Sequence, residues 1–420
     1  MPRGAMGNHD PEVLIVGGGP AGASTAFQLV RRGVRVLVLE RARFPRSKPC
    51  GECLSPQASR LLHDMGVLAE VEANAAHLRG IVVRSPSGAS ARGDYVAGHG
   101  FRGFRDTGLS IRREILDQVL LNAARGAGAV VEEGVRVSDV VHDGDGTVRG
   151  ALVVDAAGTV REVRAGLVVA ADGLRSVIAR RVGLSRVAPW PHRVAIVAHY
   201  RDVNDVSDLV EIHVENDGFV GVADVGGGAT TVAAVFPKRR AREFAGDAAG
   251  FLDSWLKSKP HLRARFERAT REEGVAVTGP FASHSRRPWT PGALLVGDAA
   301  DFFDPATGEG IYAALRGGEL AADAAVAALS ASTARHAEDA YRAYAAARRS
   351  EFGGKWRVER IVGLGVAAPS IMNRAVRSLA ARKPMADLLA GVTGDFVPPN
   401  QVLRLGFLAR LMFPAPQPAP

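Results

Sequence analysis

The chain has 420 residues, 47% hydrophobic and 23% charged, proportions ordinary for a folded globular protein. No uncharged apolar run approaches the roughly 18 residues a membrane span needs. The N-terminal MPRGAMGNHD lacks the apolar core of a secretory signal, and two cysteines make no disulfide framework, so a cytoplasmic location is expected. The formal charge of +9 is concentrated: residues 331–420 hold thirteen Lys or Arg against six Asp or Glu, which argues against a general nucleic-acid surface.

Val13–Val16 reads as a short buried strand. Gly17, Gly19 and Gly22 follow at G-x-G-x-x-G spacing, then a helical stretch, then a second apolar strand, Val34–Leu39, closed by Glu40. In such a unit the first glycine permits a tight turn, the second lets backbone approach a pyrophosphate, and the third lets helix and strand pack closely. The helix N-terminus faces the phosphates, and the terminal acid binds a ribose hydroxyl. Pro20, Ala21 and Arg41, beside these residues, belong to the expected dinucleotide site. The loop from Phe44 offers Arg46 and Lys48 as pyrophosphate partners. Its Cys50-x-x-Cys53 pair spells a thioredoxin-like motif or half a zinc site. No second ligand pair exists in the sequence, so no metal is expected.

From Gly80 to Ser110 short β-like runs alternate with Gly and Arg. A helix follows from Arg112, then an apolar strand, Leu167–Ala170, closed by Asp172-Gly173. Arg175 and Arg180 beyond it are either phosphate ligands or surface charges. Four strand patterns with short turns, Arg193–Tyr200, Leu209–Glu215, Gly218–Val225 and Thr230–Phe236, predict an antiparallel sheet. Ala241–Arg271 reads as helical. Leu294–Val296 is a further strand closed by Gly297-Asp298; Asp304-Pro305 makes a turn, and Thr307–Gly310 opens a helix. Residues 331–413 read mostly helical, with breaks at Gly353-Gly354, Pro369, Pro384 and Pro398-Pro399, and residues 414–420 as a disordered tail.

Taken together, the glycine motif, the segment LVVAADGLRSVIARRVGL from Leu167, the segment GALLVGDAADFFDPATGEGIYAALRGGELAA from Gly292 and the helix RREILDQVLLNAARGAGA from Arg112 resemble a known family. It is that of the FAD-dependent aromatic hydroxylases of the p-hydroxybenzoate hydroxylase type, with their relatives the geranylgeranyl reductases and flavin-dependent halogenases. The resemblance implies an α/β fold with a Rossmann-like, glutathione-reductase-type FAD-binding domain over residues 11–75, 111–185 and 281–330. It also implies an inserted antiparallel β-sheet substrate domain over 76–110 and 186–280, and a C-terminal helical region over 331–413. FAD is the implied cofactor, with Arg113 contacting it, Asp172 at the pyrophosphate and Asp298 on the ribityl hydroxyls. Pro305, Gly308, Gly310 and Ile311 would then stand at a helix start under the flavin N1–C2=O edge, where the helix dipole stabilises reduced flavin by roughly 0.3–2 kcal/mol.

The core Gly51-Glu52-x-Leu54-Ser55-Pro56 looks like the reductase and halogenase branch. Yet the halogenase W-x-W-x-I-P pattern is absent, and the segment DGFVGVADVGGG from Asp217 has neither the Trp nor the Pro of the reductase Y-x-W-x-F-P. By elimination and by fold, the leading expectation is hydroxylation of an aromatic or lipophilic substrate, with NAD(P)H as electron donor and O2 as co-substrate. Reduction of a polyprenyl or enoyl double bond comes second, then halogenation, then a flavin-holding protein without turnover. A phenolic substrate gains from a base, and His199, His213 and Tyr200 are candidates. Glu211, His213 and Glu215, however, alternate along one strand face that reads as solvated, so no catalytic residue is assigned. In VLRLGFLARLMF, Val402 to Phe413, Leu405, Leu408 and Met412 form one stripe beside Arg404 and Arg410. That pattern fits either core packing with surface arginines or a basic helix lying on an anionic membrane.

Overall fold

A computed structural model describes residues 10–188, 192–272 and 274–413; the expectations for the first nine residues and for the tail 414–420 lie outside the described residues. The longer helices are α1 (Pro20–Val30), α2 (Arg113–Ala127), α3 (Ala248–Ser258), α4 (Gly310–Leu329), α5 (Ala334–Ala367), α6 (Pro369–Ala380), α7 (Lys383–Thr393) and α8 (Leu405–Met412).

The first layer grows from the apolar runs. Val13–Val16 and Leu167–Ala170 are buried at every position and pair in parallel, Leu14 opposite Val168. Val36–Glu40 pairs on the other side, two residues later than the sequence suggests. Parallel strands covered on both faces must be apolar throughout, which is why these runs do not alternate. Ala293–Leu295, Trp289–Thr290 and Val130–Glu133 complete a six-stranded sheet. Across it α1 and α4 pack closely through small residues: the Ser24 hydroxyl donates to the Leu315 carbonyl (2.8 Å), and a side chain at Gly318 would collide with Ser24.

The second layer is a larger, mostly antiparallel sheet. The four expected strands form its centre, in the order Arg193–Arg201, Thr230–Pro237, Gly218–Asp224, Leu209–Glu215; Gly80–Arg84 adds in parallel to the last, and Ser90–Asp94 closes that edge. Period-two alternation sorts its side chains to two faces. Val194, Ile196, Ala198 and Val232 pack under α3 with Trp255 and Leu256, while Ala195, Val197, Phe219 and Val235 face the C-terminal helices.

Two expectations are corrected. Ala241–Arg271 is not one helix: a 3-10 turn, Lys238–Phe244, precedes α3, the chain restarts at Pro260–Arg263, and Thr270–Arg271 pairs as a strand. Pro260 has no N–H to continue α3. Conversely, Gly353-Gly354 does not break α5, which runs through both residues. Each glycine costs about 1 kcal/mol of helix propensity, and tertiary packing overrides it: Gly354 lets the helix press against Pro399. Pro369 and Pro384 do mark boundaries, each in the first turn of a new helix.

Candidate functional site

The glycine motif forms a cradle at the end of the six-stranded sheet. Gly17 sits at φ +103°, a conformation that disfavours a side chain, and a Cβ there would overlap the Ala171 carbonyl. A Cβ at Gly22 would overlap the carbonyl of Gly17. The N-terminus of α1 has Gly19 as its N-cap residue and no side-chain cap, so its first-turn N–H groups are open to a ligand. Glu40 is buried; one carboxylate oxygen accepts from Gly18 N–H (2.8 Å) and the other from Ala42 N–H (2.9 Å). Arg41 stands exposed beside it.

Basic groups gather around this cradle. Arg113, the first residue of α2, is buried and forks onto Asp117 with two 2.7 Å bonds; Arg46 reaches the same carboxylate at 3.0 Å. Burial opposes the charge on Arg113, but the Asp117 carboxylate outweighs it and raises the pKa. Lys48 lies 3.5 Å from Asp298. Arg175 and Arg180 are engaged elsewhere, on the carbonyls of Gly279 (2.6 Å) and Ser176 (3.2 Å). Asp172 accepts from Val177 N–H (2.6 Å) at the start of a short helix; burial raises its pKa, and its Oδ1 has no partner among the described residues.

A cavity of about 360 Å³ opens from this cradle and runs beneath the second sheet. Of the residues expected to bind a cofactor, Gly19, Pro20, Ala21 and Arg113 line it, as do Gly297, Asp298, Pro305, Gly308, Gly310 and Ile311 from the far segment. Gly17, Gly22, Glu40, Arg41, Arg46 and Asp172 are not among its lining residues. Its far end is apolar: Val197 and Ile212 of the sheet face Val362 of α5, Met372 of α6 and Leu389 of α7. The C-terminal helices therefore form a wall of the chamber.

Where cradle and chamber meet, the cavity carries buried ionisable groups. Glu309 precedes α4; burial first, and then the Asp395 carboxylate, raise its pKa well above the ordinary range, and its Oε1 has no hydrogen-bond partner among the described residues. Lys355 pairs with Asp395 and lies 3.9 Å from the centre of the Tyr312 ring. Arg193, buried in the second sheet, pairs with Asp304 and donates to the Gly363 carbonyl (2.6 Å). Asp304 N–H donates to Glu359 (2.6 Å), whose pKa burial pushes up to about 8. Sheet, Asp304 turn and α5 are thus clamped around Pro305.

A family model described as "FAD binding domain" matches residues 10–351. The chain belongs to the FAD-binding domain family. It is 29% identical over 330 residues to a digeranylgeranylglycerophospholipid reductase of Methanosarcina mazei, covering 76% of each protein. It is 29% identical over 340 residues to a menaquinone reductase of Mycolicibacterium smegmatis, covering 75% of this chain and 76% of the relative. A triple mutant of a flavin-dependent brominase shares its fold, with a TM-score of 0.77 at 22% identity, over 91% of this chain and 95% of that one. The protein is thus an FAD-dependent oxidoreductase, with the expected α/β FAD-binding fold, antiparallel sheet and C-terminal helices. Its curated relatives weigh toward the reductase reading, which the sequence alone places second.

Other expectations about this flavoprotein change with the geometry. Glu211 and His213 are not solvated: both are buried, Arg265 grips Glu211 (2.5 and 3.0 Å), and His213 stacks on His261 at 5.2 Å. The segment after α3 covers that face with its own countercharges, which strand alternation cannot reveal. Tyr200 donates to Asp253 (2.6 Å), and neither it, His199 nor His213 lines the cavity. His199 instead contacts Glu52 (2.7 Å), a buried residue at φ +62° whose other oxygen accepts from Arg113 N–H (2.9 Å). Glu52 is thereby the link between the C-x-x-C loop, α2 and the second sheet. Cys50 and Cys53 are free thiols, and burial pushes the Cys53 pKa up to about 12. Among the described residues no group of three His, Cys, Asp or Glu is placed to hold a metal ion, and no helix is long and apolar enough to cross a membrane.

Sequence reasoning missed Glu52, Glu309, Lys355, Glu359 and Asp395 as site residues. Three of them lie in the C-terminal region, far in sequence from any motif. Two carried a local signal: Glu52 by its place in the Gly51-Glu52-x-Leu54-Ser55-Pro56 core, and Glu309 by its place between Gly308 and Gly310 at a helix start.

Proposed function

We propose that this protein is a flavin-dependent reductase that adds two hydrogens across a carbon–carbon double bond of a lipophilic, isoprenoid-type substrate. The observation that carries the reading is the apolar chamber abutting the glycine cradle, walled by aliphatic side chains from both the sheet and the C-terminal helices. Such a chamber favours a long hydrocarbon by burial at roughly 25 cal/mol per Å². The relatives named as reductases support it. Hydroxylation of a phenol now stands second, because the candidate bases lie off the cavity lining.

In this reading Gly17, Gly19 and Gly22 at the start of α1 would hold the FAD pyrophosphate, with Pro20 and Ala21 in that first turn. Arg46 and Arg113 offset its charge, and Asp172 stands alongside. Glu40 takes the ribose hydroxyls, next to Arg41. Asp298, after Gly297, would take the ribityl hydroxyls, and Pro305, Gly308, Gly310 and Ile311 would hold the ring edge. The uncapped α1 terminus and the collisions a Cβ would make at Gly17 and Gly22 fit a phosphate cradle. Bound FAD supplies hydride chemistry there, with NAD(P)H as the source of electrons. The second hydrogen arrives as a proton, and Glu309 is the acid assigned to give it. Its carboxyl lines the cavity, one of its oxygens lacks a partner among the described residues, and burial raises its pKa, which favours the protonated form.

The deciding experiment reduces the holoprotein without O2 and adds a geranylgeranyl lipid or menaquinone. Anaerobic reoxidation of the flavin, with a product heavier by two hydrogens, is the expected result. Reoxidation only when O2 is admitted, with an oxygenated product, would replace the reading by hydroxylation.

A further inference from the structure

The outer surface of the C-terminal helices has an unusual composition. Over residues 357–413 the exposed charges are Arg357, Arg360, Arg374, Arg377, Lys383, Arg404 and Arg410, all basic. Each of the three acids of that stretch has a partner within the protein. Glu359 accepts from Asp304 N–H, Asp387 accepts from Asp94 N–H and pairs with Lys383, and Asp395 pairs with Lys355. The same stretch exposes large apolar side chains: Leu405 is 85% exposed and Phe413 71%, with Ile361, Leu364 and Ile371 also open.

These residues stand on helices that touch one another. Ser378 of α6 donates to the Arg410 carbonyl of α8 (2.6 Å), and Arg382 reaches the carbonyls of Arg410 (2.9 Å) and Phe413 (3.2 Å). The core-packing residues of α8 are Phe407 and Leu411, not the stripe Leu405, Leu408, Met412 that the sequence suggests. Leu405 therefore projects away from the core. Inward, α5 and α6 present Val362, Val366, Met372 and Leu379 to the chamber.

We propose that the outer face of α5, α6 and α8 docks on an anionic phospholipid bilayer. Exposed apolar residues interleaved with charges of one sign are complementary to a surface that is apolar within and negative outside. Two of the helices so docked, α5 and α6, also wall the chamber, which would place its apolar end near the hydrocarbon that carries a lipophilic substrate. The docking itself stands independently of which reaction the flavin performs.

The test is co-sedimentation of the oxidised holoprotein, without substrate, with vesicles of phosphatidylcholine alone or mixed with phosphatidylglycerol. The wild type should sediment with the anionic vesicles and be released by salt. The double variant Leu405→Glu, Phe413→Glu should lose at least about tenfold in partitioning. Its flavin content and melting temperature should be unchanged, because both side chains are already in water. Val160→Glu, at an exposed apolar site elsewhere, should bind like wild type. No binding to anionic vesicles, or equal binding by the double variant, overturns the proposal. So does a dimer in sedimentation equilibrium that the double variant abolishes while vesicle binding is absent, which would give this face to a second copy of the chain. None of these outcomes touches the anaerobic reduction experiment, so the two readings fail separately.

Discussion

The two ends of the cavity are built on opposite principles. The cradle end is backbone: a left-handed glycine, Gly17, which like Gly22 has no room for a methyl group, and a helix terminus left uncapped. The chamber end is side chain: aliphatic residues contributed by strands and helices that lie far apart in the chain. Backbone geometry is all-or-none, because one added atom meets a carbonyl that cannot move. Aliphatic lining is graded, because a neighbouring rotamer can yield. The two ends should therefore answer mutation differently.

The largest effect is expected at the cradle. Gly17→Val combines a disfavoured φ with a collision against the Ala171 carbonyl, a cost of the order of 3 kcal/mol or more. The purified variant should carry almost no flavin absorbance per mole of protein. A normally yellow Gly17→Val protein would break the assignment of that end to the cofactor. Glu309→Gln comes next, at the junction. It should keep its flavin and lower the anaerobic rate of substrate reduction by about 10²-fold, the low end of general-acid effects. The wild-type rate should also fall as pH rises through the raised pKa of Glu309, since the deprotonated form has nothing to give. A Gln variant as fast as wild type would return the proton to another donor, with Tyr95, buried at the same cavity, the next to test.

At the chamber end the effect should be smaller. Val197→Phe puts extra volume into the apolar lining without touching the cradle. Flavin content should stay at wild-type level while KM for a long isoprenoid rises about tenfold, the scale of one misplaced methylene. If KM is unchanged and flavin is lost instead, the two ends are not separable in the way the geometry suggests.

The same contrast explains what could be read in the sequence. The turn geometry around Gly17, Gly19, Gly22 and Glu40 was legible because the strand–turn–helix–strand unit is contiguous and its constraints are local. Gly297, Asp298 and the turn at Asp304 were legible for the same reason. The chamber was not, because each strand contributes alternate residues and both faces of the second sheet are covered. Val210, Ile212 and Val214 face the cavity, while Glu211 and His213 are buried on the opposite face against Arg265. A strand with polar residues on one face looks half-solvated until the element that neutralises them is placed. Lys355, Glu359 and Asp395 were illegible for a further reason: they are ordinary helix-surface residue types that become interior only when α5 and the loop after α7 close over the cavity.

The smallest expected effect tests how the two ends are joined. Glu359 holds the Asp304 turn through one hydrogen bond, and burial pushes its pKa up to about 8 from an ordinary value of 4.5. The folded state therefore binds this proton more tightly than the unfolded chain. The stability it contributes is complete below about pH 4.5 and is lost progressively as pH rises to about 8. The carboxylates whose pKa is lowered, such as Glu211 at about 2, titrate below that window and do not offset the loss. Glu359→Gln keeps an acceptor for Asp304 N–H and removes the ionisation. Its melting temperature should then decline less between pH 5 and 8 than that of the wild type, whose extra loss of a few degrees is equivalent to roughly 1–2 kcal/mol. The raised carboxyls of Glu309 and Asp172 still contribute in both proteins. An equal decline in both proteins would mean that Glu359 does not carry the pH dependence, and that the clamp around Pro305 rests on the buried Arg193–Asp304 pair alone.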